Sequence, residues 1–234
     1  QRRSRFDRLM KIKTKKHGLI FECRNKRDAT IVTEVCDKQV YRKPKLGFEP
    51  EMYETWLDLG GNIGAFTVWA AAIYRCNVVV VEPCLDNIRL INKNLKLNGV
   101  HAEVIRGFAG STGEGQTEVA FNADTAGRSG KFGKGQKESV DNVSVNDLIA
   151  EHRPTGLKID IEGGEFDLLD EGLNIDNVRA IAMEYHFRFD KSCATARKRL
   201  MPMIRKYKNK RVSKQLLHGS EWQGWIDDLC YFWN

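Results

Sequence analysis

The stretch Asp58-Leu59-Gly60-Gly61-Asn62-Ile63-Gly64 joins a short apolar run, residues 56–59, to an alanine-rich apolar segment that ends at Tyr74. The run predicts a buried strand, and the segment predicts a buried helix. Glycines at such a junction let the backbone turn sharply and approach a ligand, while the first turn of the helix offers unpaired N–H groups. The stretch therefore predicts a ligand site at the first strand-to-helix turn.

An acidic residue at the end of the second predicted strand indicates what kind of ligand binds there. Residues 78–81 form a continuous valine run, typical of a strand buried on both faces, and Glu82 follows it, eighteen residues after Gly64. A carboxylate at this distance is placed to accept hydrogen bonds from ribose hydroxyls. We expect a cofactor that carries a nucleoside.

The glycine spacing departs from the dinucleotide fingerprint, because Asn62 occupies the place of the second glycine. The order resembles instead the first motif of class I S-adenosylmethionine-dependent methyltransferases. That resemblance implies that this motif holds the methionine part, that Glu82 holds the ribose, and that Phe108 contacts adenine. A core aromatic is an equally good interpretation of Phe108. The residues expected to bind S-adenosyl-L-methionine are Asp58, Gly60, Asn62, Gly64, Glu82 and Phe108.

Alternating strand and helix patterns continue along the chain and define the expected fold class. They predict an α/β protein with a doubly wound, mostly parallel sheet and helices on both faces. Asp86 is expected to cap the helix that Asn98-Gly99 closes. The other predicted elements are strands at 104–105, 157–161 and 178–185, helices at 145–151 and 165–171, a helix at 194–208 interrupted at Pro202, and a terminal edge strand at 228–233.

Three segments are expected in the chain. Residues 1–18 form a basic N-terminal arm, residues 19–54 a lead-in of short strands or turns, and residues 55–234 the cofactor-binding domain. That domain contains a glycine-rich insertion at 110–140, expected as a hairpin or a mobile loop, and a basic helix at 194–214.

A more specific resemblance comes from the string Leu157-Lys158-Ile159-Asp160-Ile161-Glu162-Gly163-Gly164-Glu165. Together with Val79–Pro83 and Met183-Glu184-Tyr185-His186, it is similar to the FkbM-type methyltransferases. The resemblance implies O-methylation of hydroxyls on sugars or secondary metabolites. The family's Leu-Asp-Asp before the fourth strand is here Val145-Asn146-Asp147.

The same string predicts where the chemistry takes place. Asp160 and Glu162 lie at the carboxyl end of one predicted strand, where doubly wound sheets bind their ligands. The next strand, expected to be its neighbour, ends in Glu184 and His186. Methyl transfer to a hydroxyl needs a base, and we expect His186 or Asp160 in that role. The candidate catalytic residues are Asp160, Glu162, Glu184 and His186.

Two of the carboxylates have a simpler interpretation. Glu162 and Glu165 fall at a predicted helix N-terminus, where the helix dipole favours negative charge, and for Glu165 we prefer this interpretation. A divalent metal between Asp160, Glu162 and Glu184 is an alternative that no ligand spacing requires, so no metal is expected.

Charge is distributed unevenly. The net charge is +7, but residues 1–17 carry +7, residues 188–214 carry +10 and residues 215–234 carry −3, so residues 18–187 carry −7. Two basic flanks make RNA a candidate partner. Six cysteines without a CxxC pair favour reduced thiols in an intracellular protein, and no apolar stretch is long enough to span a bilayer.

Three hypotheses follow for the function. The first is O-methylation of a sugar-like or small-molecule hydroxyl. The second is methylation of an RNA ribose bound through the basic flanks. The third is a non-catalytic member of a larger assembly that binds RNA or protein.

Overall fold

The computed structural model describes residues 9–122, 128–130, 136–187, 192–212 and 228–234. Residues 1–8 and 213–227, which include parts of the two basic flanks, therefore lie outside the description. The strands are β1 (Met10–Lys13), β2 (Ile20–Cys23), β3 (Thr55–Leu59), β4 (Asn77–Glu82), β5 (Glu103–Arg106), β6 (Phe108–Gly110), β7 (Gln116–Asn122), β8 (Arg128–Gly130), β9 (Gln136–Ser144), β10 (Gly156–Ile159), β11 (Ala180–Tyr185), β12 (Asn209–Arg211) and β13 (Asp228–Trp233). The helices are α1 (Lys26–Val32), α2 (Ala65–Tyr74), α3 (Leu85–Leu97), α4 (Val145–His152), α5 (Glu165–Glu171) and α6 (Cys193–Lys206).

A seven-stranded sheet forms the centre of the protein, in the order β12-β13-β11-β10-β3-β4-β5. The five strands from β11 to β5 run parallel, and β13 is antiparallel to both of its neighbours. The α/β fold with a mostly parallel sheet is therefore confirmed. The expectation of a terminal edge strand is wrong, because β13 lies inside the sheet and β12 forms the edge.

Apolar residues cover both faces of the sheet. Within β3, Trp56 belongs to the core on the α2 and α3 side, and Leu57 belongs to the core on the α4, α5 and α6 side. The valines of β4 alternate between the same two cores. This two-sided burial explains the continuous apolar runs of the central strands.

The lead-in is more helical than expected. Asn25 caps α1 by accepting hydrogen bonds from the backbone of Arg27 and Asp28, and a π-helical turn, Thr33–Asp37, follows. The segment is fixed to the domain through β2, whose backbone is hydrogen-bonded to the side chains of Asn94 and Asn98 on α3. The asparagine-rich face of α3 thus takes the place of a neighbouring strand along this edge of β2.

The insertion between β5 and α4 contains a second sheet, in the order β6-β9-β7-β8. Strands β7 and β9 pair antiparallel over six residue pairs, as in a hairpin. Residues 123–127 and 131–135 lie outside the described residues.

Two helix predictions need correction. Cys84, not Asp86, is the N-cap of α3, and Asp86 lies in the first turn, where it pairs with Arg89. Helix α6 continues through Pro202 because buried Leu200 and Met203 hold both sides of that position in the core. Across the described ranges, no helix has the length and apolarity that crossing a membrane would need.

Candidate functional site

A cavity of about 450 Å³ opens at the carboxyl ends of the parallel strands. Its walls come from two parts of the chain. From the glycine loop, α2 and the strand ends come Gly60, Gly61, Asn62, Ala65, Phe66, Glu82, Lys158, Asp160, Glu162 and Glu184. From the lead-in and β13 come Ile31, Glu34, Val35, Val40, Tyr41 and Leu229.

The glycine loop passes over the end of the neighbouring strand at very short range. Gly60 has a φ of +83°, and a Cβ placed on it would lie 1.9 Å from the carbonyl oxygen of Asp160. A side chain at this position is therefore excluded both by conformation and by space. The close approach brings the loop beside Asp160, so the predicted cofactor site and the predicted catalytic site adjoin.

Glu82 lies at the end of β4 and stabilises the glycine loop through hydrogen bonds. Its carboxylate accepts hydrogen bonds from the Asn62 and Cys84 backbone nitrogens, at 2.8 and 2.9 Å, and from Asn87 Nδ2 at 3.0 Å. Burial raises the pKa of Glu82 to about 7, and these hydrogen bonds only partly oppose the rise. Glu82 is 2% exposed, yet it lines the cavity.

Asp58 lies beneath the loop and does not line the cavity. Its carboxylate is fully buried, accepts a hydrogen bond of 2.6 Å from Thr67 Oγ1, and forms an ion pair with Lys158 Nζ at 3.0 Å. Lys158 also donates to the carbonyl oxygens of Leu59 and Gly60. Burial lowers the pKa of Lys158, but the charges of Asp58 and Asp160 outweigh burial and raise it. The pair therefore holds the loop in place from inside the protein.

Asp160 faces the cavity between the Tyr41 hydroxyl and the His186 ring. Its Oδ2 accepts a hydrogen bond of 3.4 Å from the Tyr41 hydroxyl and lies 4.0 Å from Lys158 Nζ. Its Oδ1 lies 3.8 Å from Nε2 of His186. Burial, followed by the charge of Asp160, raises the pKa of Tyr41 well above its ordinary value, so Tyr41 remains a donor.

His186 is fully buried behind the carboxylates and is held by Glu165. Glu165 Oε1 accepts hydrogen bonds of 2.9 Å from both the backbone nitrogen and the ring Nδ1 of His186. Nε2 lies 3.5 Å from Glu162. Burial lowers the pKa of His186, but the hydrogen bond with Glu165 and the surrounding negative charges raise it to about 10.

The turn between β10 and α5 positions the remaining carboxylate. Glu162 has a φ of +49°, a left-handed backbone conformation, so it lies in the turn after β10 and does not continue that strand. One donor atom from each of Asp160, Glu162 and His186 falls within 4.8 Å of the others, a spacing that a metal ion would also fit. Glu184, near the end of β11, lines the cavity beside them.

Besides Asp58, two predicted cofactor residues, Gly64 and Phe108, lie away from the main cavity. Gly64 has a φ of +82° and is the N-cap of α2, against Ile91. Phe108 is 5% exposed and lines a separate recess of about 20 Å³ together with Gly60, Val81 and Ile161. It also packs in a small core with Val119 and Val140. A direct contact of Phe108 with adenine stays a prediction.

Three residues of this site were not predicted from the sequence. Tyr41 belongs to the lead-in, whose weak pattern does not indicate that this segment packs against the carboxyl ends of the strands. Lys158 belongs to the quoted string, and its position directly opposite Asp58 on the neighbouring parallel strand is the signal that would indicate the ion pair. Glu165 was assigned to the helix dipole, whereas its carboxylate is hydrogen-bonded to His186 and to the Gly163 backbone nitrogen.

Comparisons with known proteins agree with this architecture. The chain is similar to M. jannaschii TYW2 in complex with AdoMet, with 13% identity, a TM-score of 0.50, and coverage of 97% of this chain and 86% of that one. It is also similar to P. horikoshii TYW2 in complex with MeSAdo (12% identity, TM-score 0.47, 96% and 71% coverage). A third similar structure is the C-terminal domain of precorrin-6Y C5,15-methyltransferase from Rhodobacter capsulatus (15% identity, TM-score 0.42, 81% and 83% coverage). At 13% identity, the likeness to M. jannaschii TYW2 shows the fold alone.

No curated protein sequence matches the chain significantly. The family model for the methyltransferase FkbM domain, in contrast, matches residues 58–211, about two thirds of the chain. The matched part begins at Asp58 and contains the glycine loop, Glu82, Asp160 and His186. The chain therefore belongs to the FkbM methyltransferase family, with S-adenosyl-L-methionine as its cofactor.

Proposed function

We propose that the protein transfers the methyl group of S-adenosylmethionine to a hydroxyl of a sugar-like or small-molecule acceptor. The observation that carries this proposal is the position of Asp160, a carboxylate that faces the cavity directly beside the glycine loop. A base at this place can receive the hydroxyl proton while the loop holds the methyl donor.

The cofactor half of the cavity is assigned as follows. The Gly60–Asn62 turn and the α2 N-terminus bind the methionine part, and the Glu82 carboxylate accepts hydrogen bonds from the ribose hydroxyls. Gly64 permits the turn into α2, and Phe108 borders the adenine position. Asp58 supports the loop through Lys158 rather than by touching the ligand.

The acceptor half contains the base. The hydroxyl oxygen attacks the methyl carbon in line with the sulfur, the carbon–sulfur bond breaks, and its electron pair stays on sulfur. The hydroxyl proton passes to Asp160, and the products are a methyl ether and S-adenosylhomocysteine. Glu162 and Glu184 orient the acceptor. His186 is buried behind Asp160 and carries a raised pKa, so we assign it a positioning role and choose Asp160 between the two candidate bases.

The acidity of the cavity supports a sulfonium donor. Five of its lining side chains are carboxylates, and the one ammonium group among them, that of Lys158, is paired with Asp58. Negative charge around the sulfonium favours binding of the positively charged donor over S-adenosylhomocysteine, which has lost that charge.

Calorimetric titration with S-adenosylmethionine, followed by transfer of its labelled methyl group to a small-molecule extract, tests the proposal. We expect saturable binding and label in an alkali-stable ether. Absence of binding, or label in an amine or a carbon–carbon product only, would contradict O-methylation.

A second candidate, methylation of RNA, is favoured by exposed cations at one end of the sheet. Helix α6, strand β12 and the turn between them carry the exposed residues Arg197, Lys198, Arg205, Lys208, Lys210 and Arg211. Charged residues on an edge strand also prevent unwanted strand pairing, and this effect alone explains the charges of β12 without an RNA partner. Salt-dependent RNA binding that is lost on removing residues 1–17 would support the second candidate.

A further inference from the structure

Six residues of the cavity wall come from outside the part of the chain that matches the FkbM domain. They are Ile31, Glu34, Val35, Val40, Tyr41 and Leu229, and we call this set the outer wall. The glycine loop, Glu82 and the candidate catalytic residues all lie inside the matched part. The cavity thus consists of one part inside the family match and a wall outside it.

The outer wall adjoins the acceptor half. Tyr41 donates its hydroxyl hydrogen bond to Asp160, and its ring makes an edge contact with Phe66 at 5.5 Å between centroids. Leu229 is the cross-strand partner of Glu184. The wall therefore reaches the base on one side and an acceptor-orienting carboxylate on the other.

Tight packing keeps this wall in place. Val35 is 5% exposed and Tyr41 is also 5% exposed, although both belong to the lead-in. The Tyr231 hydroxyl donates a hydrogen bond to the Val40 carbonyl oxygen, which ties the lead-in to β13. The Cys36 thiol lies 3.8 Å from the Ala65 carbonyl oxygen at the start of α2. Because it is attached at several points, the wall is a preformed surface for an acceptor.

The chemistry of the wall is aliphatic and acidic. Ile31, Val35, Val40 and Leu229 offer only hydrocarbon to a bound molecule. Glu34 adds a carboxylate, with Lys38 3.7 Å away on the solvent side of the same turn, to those of Asp160, Glu162 and Glu184. A phosphate or carboxylate next to the reacting hydroxyl would face these negative charges in a partly desolvated space.

We propose that the outer wall selects the acceptor, and that it selects an alcohol with an uncharged, partly apolar body and no phosphate or carboxylate beside the methylated hydroxyl. This inference rests on the proposed O-methylation and specifies its substrate class. An RNA ribose, which is flanked by phosphates, does not fit this description and is the opposing outcome of the test.

The test separates a cell extract on an anion-exchange resin at about pH 8 and supplies each fraction with labelled S-adenosylmethionine and the full chain. We expect at least about tenfold more label in the flow-through, which holds uncharged and cationic compounds, than in the retained fraction. Predominant label in the retained fraction overturns the inference while leaving O-methylation intact, and sensitivity of that label to ribonuclease identifies RNA. No label in either fraction, despite measured cofactor binding, contradicts the proposed function itself and the inference with it.

Variants of the wall separate selection from catalysis. Ile31→Ala is expected to weaken acceptor binding, so that half-maximal labelling needs several-fold more of the flow-through fraction. Its Kd for S-adenosylmethionine should stay unchanged. Glu34→Lys is expected to increase labelling of the retained fraction relative to the flow-through, and Glu114→Lys, an exposed site that does not line the cavity, serves as its control. Unchanged half-saturation and an unchanged label ratio in both wall variants would overturn the assignment of the wall.

Discussion

Glu165 Oε1 accepts two hydrogen bonds from His186, one from its backbone nitrogen and one from its ring Nδ1, each 2.9 Å long. Both residues are completely buried. A carboxylate can only accept, so the ring nitrogen facing Glu165 carries a proton and Nε2 is directed toward Asp160 and Glu162. A residue assigned to a helix terminus by sequence thus fixes the orientation of the histidine behind the proposed base.

Glu165→Gln is expected to lower kcat about tenfold and to bring the pKa of His186 down from about 10, because the buried charge that holds the ring proton is removed. An NMR titration of the His186 ring measures this pKa. In the wild type, the stability contributed by the charged ring is complete below the ordinary pKa of about 6.5, falls progressively above it, and is lost once the pH has risen through about 10. Glu171→Gln, an exposed position on the same helix, is the control, and a wild-type ring that titrates near 6.5 would contradict this account.

Lys158→Met is expected to lower the free energy of unfolding by about 3–5 kcal/mol, because it leaves the Asp58 carboxylate buried without its counter-charge. Adding Asp58→Asn to this variant should restore part of the loss. Denaturant titration of the single and double variants measures both. Lys93→Met, which removes the half-exposed partner of Glu22, should cost no more than about 1 kcal/mol. Equal losses in the two lysine variants would show that the Asp58 pair is not important for stability.

The affinity for S-adenosylmethionine is expected to fall as the pH decreases below about 7, by up to about tenfold per pH unit. Ribose hydroxyls bind best to the ionised Glu82, and burial raises the pKa of that carboxyl to about 7 in the free protein. The stability of the cofactor-free protein depends on pH in the opposite direction to the affinity. The contribution of Glu82 to stability is complete below the ordinary pKa of about 4.5 and is lost as the pH rises through about 7. Calorimetry between about pH 5.5 and 8 checks the binding, and Glu82→Gln should bind more weakly with a flat profile. A pH dependence retained in Glu82→Gln would assign the titration to another group.

Tyr41→Phe is expected to lower kcat about threefold to tenfold while leaving the Kd of S-adenosylmethionine within about twofold, since it removes only the hydroxyl that donates to Asp160. Single-turnover rates and calorimetric titrations of the wild type and the variant measure kcat and Kd. Tyr53→Phe, at an exposed tyrosine outside the cavity, should change neither kcat nor Kd. A wild-type kcat in Tyr41→Phe would remove Tyr41 from the site.

The sheet and its ligand edge were predictable from sequence because strong local patterns encode them. The continuous valines of β4 and the apolar run of β3 are typical of buried strands, and the glycines between β3 and α2 mark the turn. The carboxyl ends of parallel strands meet at one edge of a sheet, and this rule is enough to place Asp160 and His186 close together.

The outer wall and the supports of the site were not predictable in the same way. Tyr41 lies 119 residues from Asp160 along the chain, in a segment without clear periodicity. Strand β12 consists of three exposed polar and charged residues, so only its pairing with β13 reveals it. Long-range contacts of this kind depend on tertiary packing, which a local pattern does not contain.

The most direct test of the central claim compares methyl transfer by the wild type and by Asp160→Asn, both saturated with labelled S-adenosylmethionine, in a single turnover against the same small-molecule acceptors. Asparagine keeps the size of the side chain but cannot take the hydroxyl proton. We predict at least about a hundredfold slower ether formation in Asp160→Asn, with a Kd for the cofactor within about twofold of the wild type. Ether formation at the wild-type rate in Asp160→Asn would contradict the assignment of Asp160 as the base.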